Sequence, residues 1–418
     1  MLHYNKSVPA ARPSDLKLNN RRQILELFKF GAVRSVAGLA AEVGVSRQTV
    51  MKSIQFFLEK GIIVSDGKAD SGSMGGKRAE LFKLTGDQYL LSLVAVPDMV
   101  AITLVNFRCE IIESRDLKDI DDLDGEAVMK AATEECGRML SERGIAPGQV
   151  RGVCITGTGI VGPEGGASQS ALFPAWNTRL PIEKYFHKCL GSGVRVTVES
   201  LGKVCGSAVL HDLDGHAGRV ATVLTYRDDI SACLIAGGHI LQGRDDYVSE
   251  FGHMTVALGD DEVCSCGSRG CLERQLCRAR FHKLYLENRQ RFPESSLAAL
   301  CGREASIRDV FDASGAGDPM ARWMSEYAAG IYAVALRNLM LLFPPDRVVF
   351  QGDYAHADPA FIEALKADLL TFRGFLRDGV PAMPFELEMD DRPLRTLCTL
   401  GAYTLLIDSL FADEENYE

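Results

Sequence analysis

The stretch EFGHMTVALGDDEVCSCGSRGCLE, residues 250–273, decides the reading of this chain. It sets His253 ahead of Cys264, Cys266 and Cys271. One imidazole and three thiolates make a closed tetrahedral Cys₃His set, the donor chemistry of structural Zn²⁺. Gly267 and Gly270 allow the tight backbone that three thiolates on one ion require. With all four positions taken by protein atoms, no place is left for a catalytic water. The motif therefore reads as a staple. Cys277 lies outside the set and reads as an ordinary helix cysteine.

The surrounding chain is long enough for two or three domains, at 418 residues. Hydrophobic content of 46% and charged content of 24% are ordinary for globular proteins. No apolar run is read as reaching the ~20 residues of a membrane span, and residues 1–17 lack the apolar core of a secretion signal. The expectation is a cytoplasmic protein with no membrane partner. Of the 12 cysteines, Cys154, Cys205 and Cys398 sit singly in apolar stretches and read as buried free thiols.

Charge is uneven. Residues 1–84 hold 14 Lys+Arg against 7 Asp+Glu, a net +7, which leaves −17 on the remainder of a chain whose total is −10. A basic first domain on an acidic body points to a polyanion partner for that domain alone. Residues 1–18 read as a loose arm. Apolar periodicity predicts helices over 19–30, 36–43 and 47–60, with Gly44 ending the second and Ser46 capping the third. Strands at 62–65 and 79–84 flank a Gly-, Ser- and Lys-rich tip, a hairpin. This is the pattern of a winged helix-turn-helix. Its third helix would offer Arg47, Gln48, Thr49 and Lys52 to the major groove of double-stranded DNA, and the wing tip would offer Lys77 and Arg78 to the minor groove.

From residue 89 onward, strand-like runs at 90–96, 101–105, 150–155, 194–198, 221–225 and 347–350 alternate with helical segments, an α/β pattern. Residues 395–411 read as a final, largely apolar helix.

Taken in order, these residues resemble the ROK family (repressors, open reading frames and sugar kinases) from about residue 19 to the C-terminus. The resemblance rests on Glu250-Phe-Gly-His253 and Cys264-Ser-Cys-Gly-Ser-Arg-Gly-Cys-Leu-Glu273. It is joined by Gly157 to Pro163, Phe173-Pro-Ala-Trp-Asn177 and the wing tip Gly75-Gly-Lys-Arg78. It implies a winged helix-turn-helix at 19–85 and a two-lobed, actin-like (ribonuclease H-like) sugar-kinase-type domain. The first lobe would span 86–200, with helix 395–411 packing back on it, and the second 201–394. It further implies a sugar site built from Asn177, Glu250, His253 and Glu273, and a homodimer or dimer of dimers.

The chain departs from the family's kinases. Their catalytic aspartate falls in a run matched here by Glu199-Ser-Leu201-Gly-Lys203, and leucine accepts no proton. The first phosphate loop is matched by Val94-Ala-Val-Pro97-Asp98, where proline removes an amide donor. The second is matched by Arg227-Asp-Asp-Ile-Ser231, where two carboxylates would repel a triphosphate. The Gly-Gly near adenosine is Gln351-Gly352. The expectation is a repressor of carbohydrate genes, controlled by a sugar or sugar derivative, with no catalytic residues and no ATP bound. A family kinase with an accessory head, or a regulator sensing a protein partner, are the alternatives.

Overall fold

The computed structural model describes residues 13–69, 78–117, 125–158, 160–161, 168–169, 180–212, 218–243, 250–297, 305–372, 376–377 and 380–413. The N-terminal head comprises α1 (Pro13–Glu26), β1 (Arg34–Ser35), α2 (Val36–Val43), α3 (Arg47–Glu59), β2 (Ile63–Lys68) and β3 (Glu80–Leu84). Local chemistry sets the two middle helices. Ser35 Oγ accepts from the Gly38 N–H and Ser46 Oγ from the Thr49 N–H, both at 3.1 Å, satisfying donors that a helix start leaves open. Gly44 ends α2 at φ +72°, a left-handed turn that glycine adopts without a Cβ penalty. Val50, Ile54 and Phe57 are buried beneath α3, as the periodicity predicts. β3 is the middle strand, with Ile63 opposite Leu84 and Arg34 opposite Phe82.

The first helix departs from expectation at both ends. It begins at Pro13, so residues 13–18 of the supposed arm are helical; proline's fixed φ suits a first turn. It stops at Glu26, and the chain passes through a 3-10 turn in which Phe30 is left-handed, at φ +59°. A tertiary contact is the cause: the Phe30 ring lies edge-on to His211 at 5.1 Å and against Tyr403 at 6.0 Å.

The first lobe holds β4 (Tyr89–Val96), β5 (Met99–Asn106), β6 (Ile111–Asp116), α4 (Gly125–Arg143), β7 (Val150–Gly157), the short β8 (Ile160–Val161) and β9 (Ser168–Gln169), α5 (Ile182–Leu190) and β10 (Arg195–Ser200). Helix α6 (Leu201–Ser207) leads into the second lobe. That lobe comprises β11 (Arg219–Tyr226), β12 (Asp229–Ala236), β13 (His239–Ile240), α7 (Leu272–Leu276), α8 (Arg278–Asn288), α9 (Ile307–Gly315), α10 (Pro319–Leu342), β14 (Arg347–Gly352), α11 (Pro359–Leu370), β15 (Leu376–Arg377), β16 (Val380–Pro381) and β17 (Glu386–Asp390). Helix α12 (Leu394–Ala412) closes the described chain.

The two large sheets repeat one topology. Read from one edge they run β6-β5-β4-β7-β10 and β13-β12-β11-β14-β17. In each, three antiparallel strands precede two parallel ones, and the parallel pairing runs Leu91 to Val153 in one and Ala221 to Val348 in the other. The central parallel strands β4, β7, β11 and β14 are mostly buried and read as apolar runs, which made them legible; β17, ELEMD and only half-buried at the sheet edge, was not read from the sequence.

Four apolar clusters result among the described residues, the smallest gathering Val209, Val220, Ile235 and Val349. Of the others, one lies between the first sheet and α4 and α5, another between the second sheet and α9, α10 and α11. The third runs unbroken from the head (Leu25, Phe28, Val50, Ile63) through α12 (Leu397, Leu406, Leu410) to α6 and Leu224 of the second sheet. Helix α12 thus packs back on the first lobe, and Gly401 permits it: a Cβ there would stand 1.7 Å from the Val204 carbonyl oxygen of α6. By length and composition α12 is the one helix among the described residues apolar enough to cross a membrane, yet 61% of that apolar window is buried inside the protein.

Candidate metal and ligand site

Residues 250–273 form a compact knuckle against the second sheet. A 3-10 turn, Phe251–His253, follows Glu250. Gly252 is required there, because a Cβ would stand 2.2 Å from the Ile230 carbonyl oxygen of β12. The chain doubles back through Leu272 N–H to Met254 O (2.9 Å) and Val256 N–H to Gly270 O (2.8 Å). Cys264 accepts the Gly267 N–H at 2.9 Å and donates its own N–H to Ser268 at 2.8 Å, folding the three cysteines together.

The ligand atoms of His253, Cys264, Cys266 and Cys271 all lie within 4.8 Å of one another. Cys266 Sγ to Cys271 Sγ is 3.7 Å, and Cys264 Sγ to His253 Nδ1 is 3.5 Å. A tetrahedron built on metal–sulfur bonds of about 2.3 Å and a metal–nitrogen bond of about 2.0 Å has edges of roughly 3.5–3.8 Å. The four side chains therefore fit a tetrahedral ion. Burial raises the Cys271 thiol, with Cys266 and Cys264 adding to the rise. Burial also pulls on Cys266, but hydrogen bonds from Ser268, Cys271 and Cys264 bring it down to about 7. One easily formed thiolate beside reluctant ones suits a site completed by a cation.

The imidazole has two faces. Nδ1 points toward the sulfurs, while Nε2 lies 3.3 Å from Glu250 Oε2. Glu273, in the first turn of α7, lies 3.4 Å from His253 Nδ1 and accepts from Cys264 Sγ at 3.0 Å, so it leans toward the sulfur cluster. The Glu250 carboxyl is pushed up by burial, then pulled down by His253 and up by Glu273. Asn177, the fourth expected ligand residue, lies outside the described residues, as does Lys77 of the wing tip. Arg78 is exposed.

Asp229 belongs with this group and was missed. Its carboxyl is pushed up to about 7 by burial and then by Glu273, Asp228 and Glu250, with His253 opposing. The sequence reading paired it with Asp228 as two charges facing a phosphate. Instead Arg227 and Asp228 form the corner of a two-residue hairpin, with Asp229 opposite Tyr226. The two carboxylates part there. Asp228 grips the Arg278 guanidinium, Oδ2 to Nη2 at 2.9 Å, and accepts the Arg278 N–H at 2.8 Å. Only the hairpin register, invisible in composition, separates their roles. Cys277 proves to be the buried junction between α7 and α8 rather than a mid-helix residue.

The run matched to the kinase aspartate is apolar at its centre. Leu201 is 5% exposed and belongs to the cluster with Val94, Val96 and Leu224. Lys203 pairs with Glu199 at 2.7 Å, and the buried Ser200 Oγ has no hydrogen-bond partner among the described residues. Gln351, buried, donates to the Cys205 carbonyl and to Asp390.

In the head, Arg47, Gln48 and Lys52 are exposed, and neither cation pairs with an acid among the described residues. Thr49 is half-buried and its hydroxyl is 2.9 Å from Ser46 Oγ, which ties it to the helix cap.

The ROK family model matches residues 100–391. This chain belongs to the ROK family. It is 26% identical over 202 residues to a glucokinase of Thermotoga maritima, an alignment spanning 48% of this chain and 62% of that relative. It is 22% identical over 409 residues to a xylose repressor of Caldicellulosiruptor bescii, spanning 96% of this chain and 98% of the relative. Among solved structures it superimposes, with a TM-score of 0.75, on a ROK family transcriptional regulator described as a homologue of the E. coli MLC protein. That match carries 19% identity and covers 96% of this chain and all of the other. The two duplicated sheets are accordingly the lobes of the actin-like, sugar-kinase-type fold.

Proposed function

We propose that this ROK protein is a sequence-specific DNA-binding regulator, a repressor of carbohydrate genes, whose two lobes bind a sugar or sugar derivative without phosphorylating it. The head is then a winged helix-turn-helix. Arg47 and Gln48 at the start of α3 read base edges, Lys52 neutralises phosphate, and Lys77 and Arg78 follow the minor groove. The observation that carries the reading is the unbroken apolar cluster joining this head to α12 and α6. A head docked that way cannot ignore a change in lobe angle. Lys29 strengthens the dock, its Nζ 2.5 Å from Asp408 Oδ1 of α12. A repressor relative aligned over nearly the whole chain supports the same conclusion.

In this reading His253, Cys264, Cys266 and Cys271 hold Zn²⁺, which fixes the knuckle and presents His253 Nε2, with Glu250 and Glu273, to vicinal hydroxyls of the ligand; Asn177 completes the set. A homodimer would place two heads on paired half-sites of a double-stranded operator. Phosphoryl transfer is absent because Leu201 offers no base.

The test is a thermal-shift screen of the full chain against xylose, glucose and N-acetylglucosamine, followed by fluorescence anisotropy on DNA from the gene's own promoter. The reading expects one sugar to raise the melting temperature by mass action and to change DNA affinity. Sugar-dependent ATP hydrolysis would contradict it.

A further inference from the structure

The turn between β4 and β5, at the tip of the first sheet, meets the turn between β11 and β12, at the tip of the second. Asp98 makes the contact. Its Oδ2 accepts from the Tyr226 hydroxyl at 3.0 Å and its Oδ1 from Arg227 Nη1 at 3.3 Å. Met99 and Tyr226 both lean on the apolar cluster that holds Leu201 and Leu224, so the polar contact sits on a shared apolar floor.

The second turn is arranged to present these groups. Arg227 is left-handed, at φ +57°, a conformation that a long side chain rarely adopts. Burial pushes up the carboxyl of Asp353, just after β14, and the Arg227 backbone N–H opposes that by favouring the charged form. Asp228 is held by Arg278. The turn is thus anchored from within its own lobe by the Asp228–Arg278 contacts and the hairpin register, and the Tyr226 hydroxyl and Arg227 guanidinium are left to reach across. A residue held in a costly conformation by surrounding contacts points to a positional role.

We propose that Asp98, Tyr226 and Arg227 form an inter-lobe latch that holds the two lobes at the angle seen here and opens when that angle changes. The contact is a weak one, since the Asp98 side chain is 63% exposed and that of Arg227 33%. Exposed pairs shift an equilibrium only a few-fold. That strength suits a switch, because a bound molecule shifts a population only as far as its preference for one state exceeds the bias against it. The proposal concerns the lobes alone and stands whether or not the head reads DNA.

Hydrogen exchange on the full chain tests it, with small-angle scattering as a second readout. Asp98→Ala should speed amide exchange a few-fold in three places: its own turn (94–100), the facing turn (224–232) and the inter-lobe helix (201–207). It should also broaden the distance distribution. Arg227→Ala should do the same. The charge swap Asp98→Arg with Arg227→Asp should restore slow exchange, which guards against a misfolded single variant. Exchange confined to 94–100 in Asp98→Ala would overturn the latch. So would a charge swap that behaves like the single variants.

Discussion

Leu201→Asp puts a carboxyl into the run that resembles the kinases' aspartate motif, and it should damage the protein without creating a kinase. Leu201 is 5% exposed among Val94, Val96, Val204 and Leu224. Burying a leucine is worth about 1.5–3 kcal/mol, and that is forfeited. The new carboxyl also enters an apolar cluster. The nearest cation in sequence, Lys203, is already 2.7 Å from Glu199. A buried polar group without a partner costs a further ~1–3 kcal/mol, so the total loss should be roughly 2.5–6 kcal/mol. The loss should depend on pH. An unpaired buried carboxyl has its folded pKa raised, so the protonated form is tolerated at low pH. The deficit then grows as pH rises above the unfolded value of about 3.9. Leu201→Asn separates volume and polarity from charge and should lose stability with little pH dependence. Urea denaturation at pH 5 and pH 8 reads the difference, and a coupled ATP assay with hexoses reads the chemistry. A Leu201→Asp variant as stable as wild type, or one that turns over ATP, would refute the assignment of this position to the apolar core.

Three further outcomes follow from the same contacts. Ser46→Ala removes the cap of α3 and should cost about 1 kcal/mol, measured as a lower denaturation midpoint with weakened DNA binding. Removing metal with a chelator should lower the melting temperature by several degrees, and His253→Ala should release metal more readily in a zinc-dye competition, because three thiols close only part of the tetrahedron. Asp390 is pulled upward by burial, but hydrogen bonds from Arg392 and Gln351 leave its carboxyl below the ordinary value. A depressed carboxyl gives stability that is complete above the unfolded pKa and lost as pH falls through the folded one. Asp390→Asn should therefore cost about 1–3 kcal/mol at pH 7, and the two proteins should converge as pH falls through the lowered folded pKa of Asp390.

Much of this architecture was readable because it rests on local or compositional signals. Ser46, Gly44 and the apolar stripe of α3 act within a few residues, and the central parallel strands β4, β7, β11 and β14 are apolar runs. The Cys₃His group was legible as a cluster because its spacing is short, and the structure brings His253, Cys264, Cys266 and Cys271 together. What escaped depends on distant partners. The end of α1 is set by Phe30 meeting His211 and Tyr403, far along the chain. The split between Asp228 and Asp229 is set by hairpin register. The contact of Asp98 with Tyr226 and Arg227 joins turns about 130 residues apart. The duplication of the sheets left no repeat in the residues, since a strand order can be kept by many apolar sequences.

The proposed regulator depends on α3 of the head engaging DNA. Its most direct test is the salt dependence of binding, by fluorescence anisotropy, of the full chain to promoter DNA from about 50 to 200 mM salt. That engagement predicts a steep inverse dependence of affinity on salt. Lys52→Ala should flatten the log–log slope by about one, and Arg47→Ala should relax the preference for the cognate sequence. Absence of binding at the lowest salt, or a slope that neither substitution alters, would contradict it.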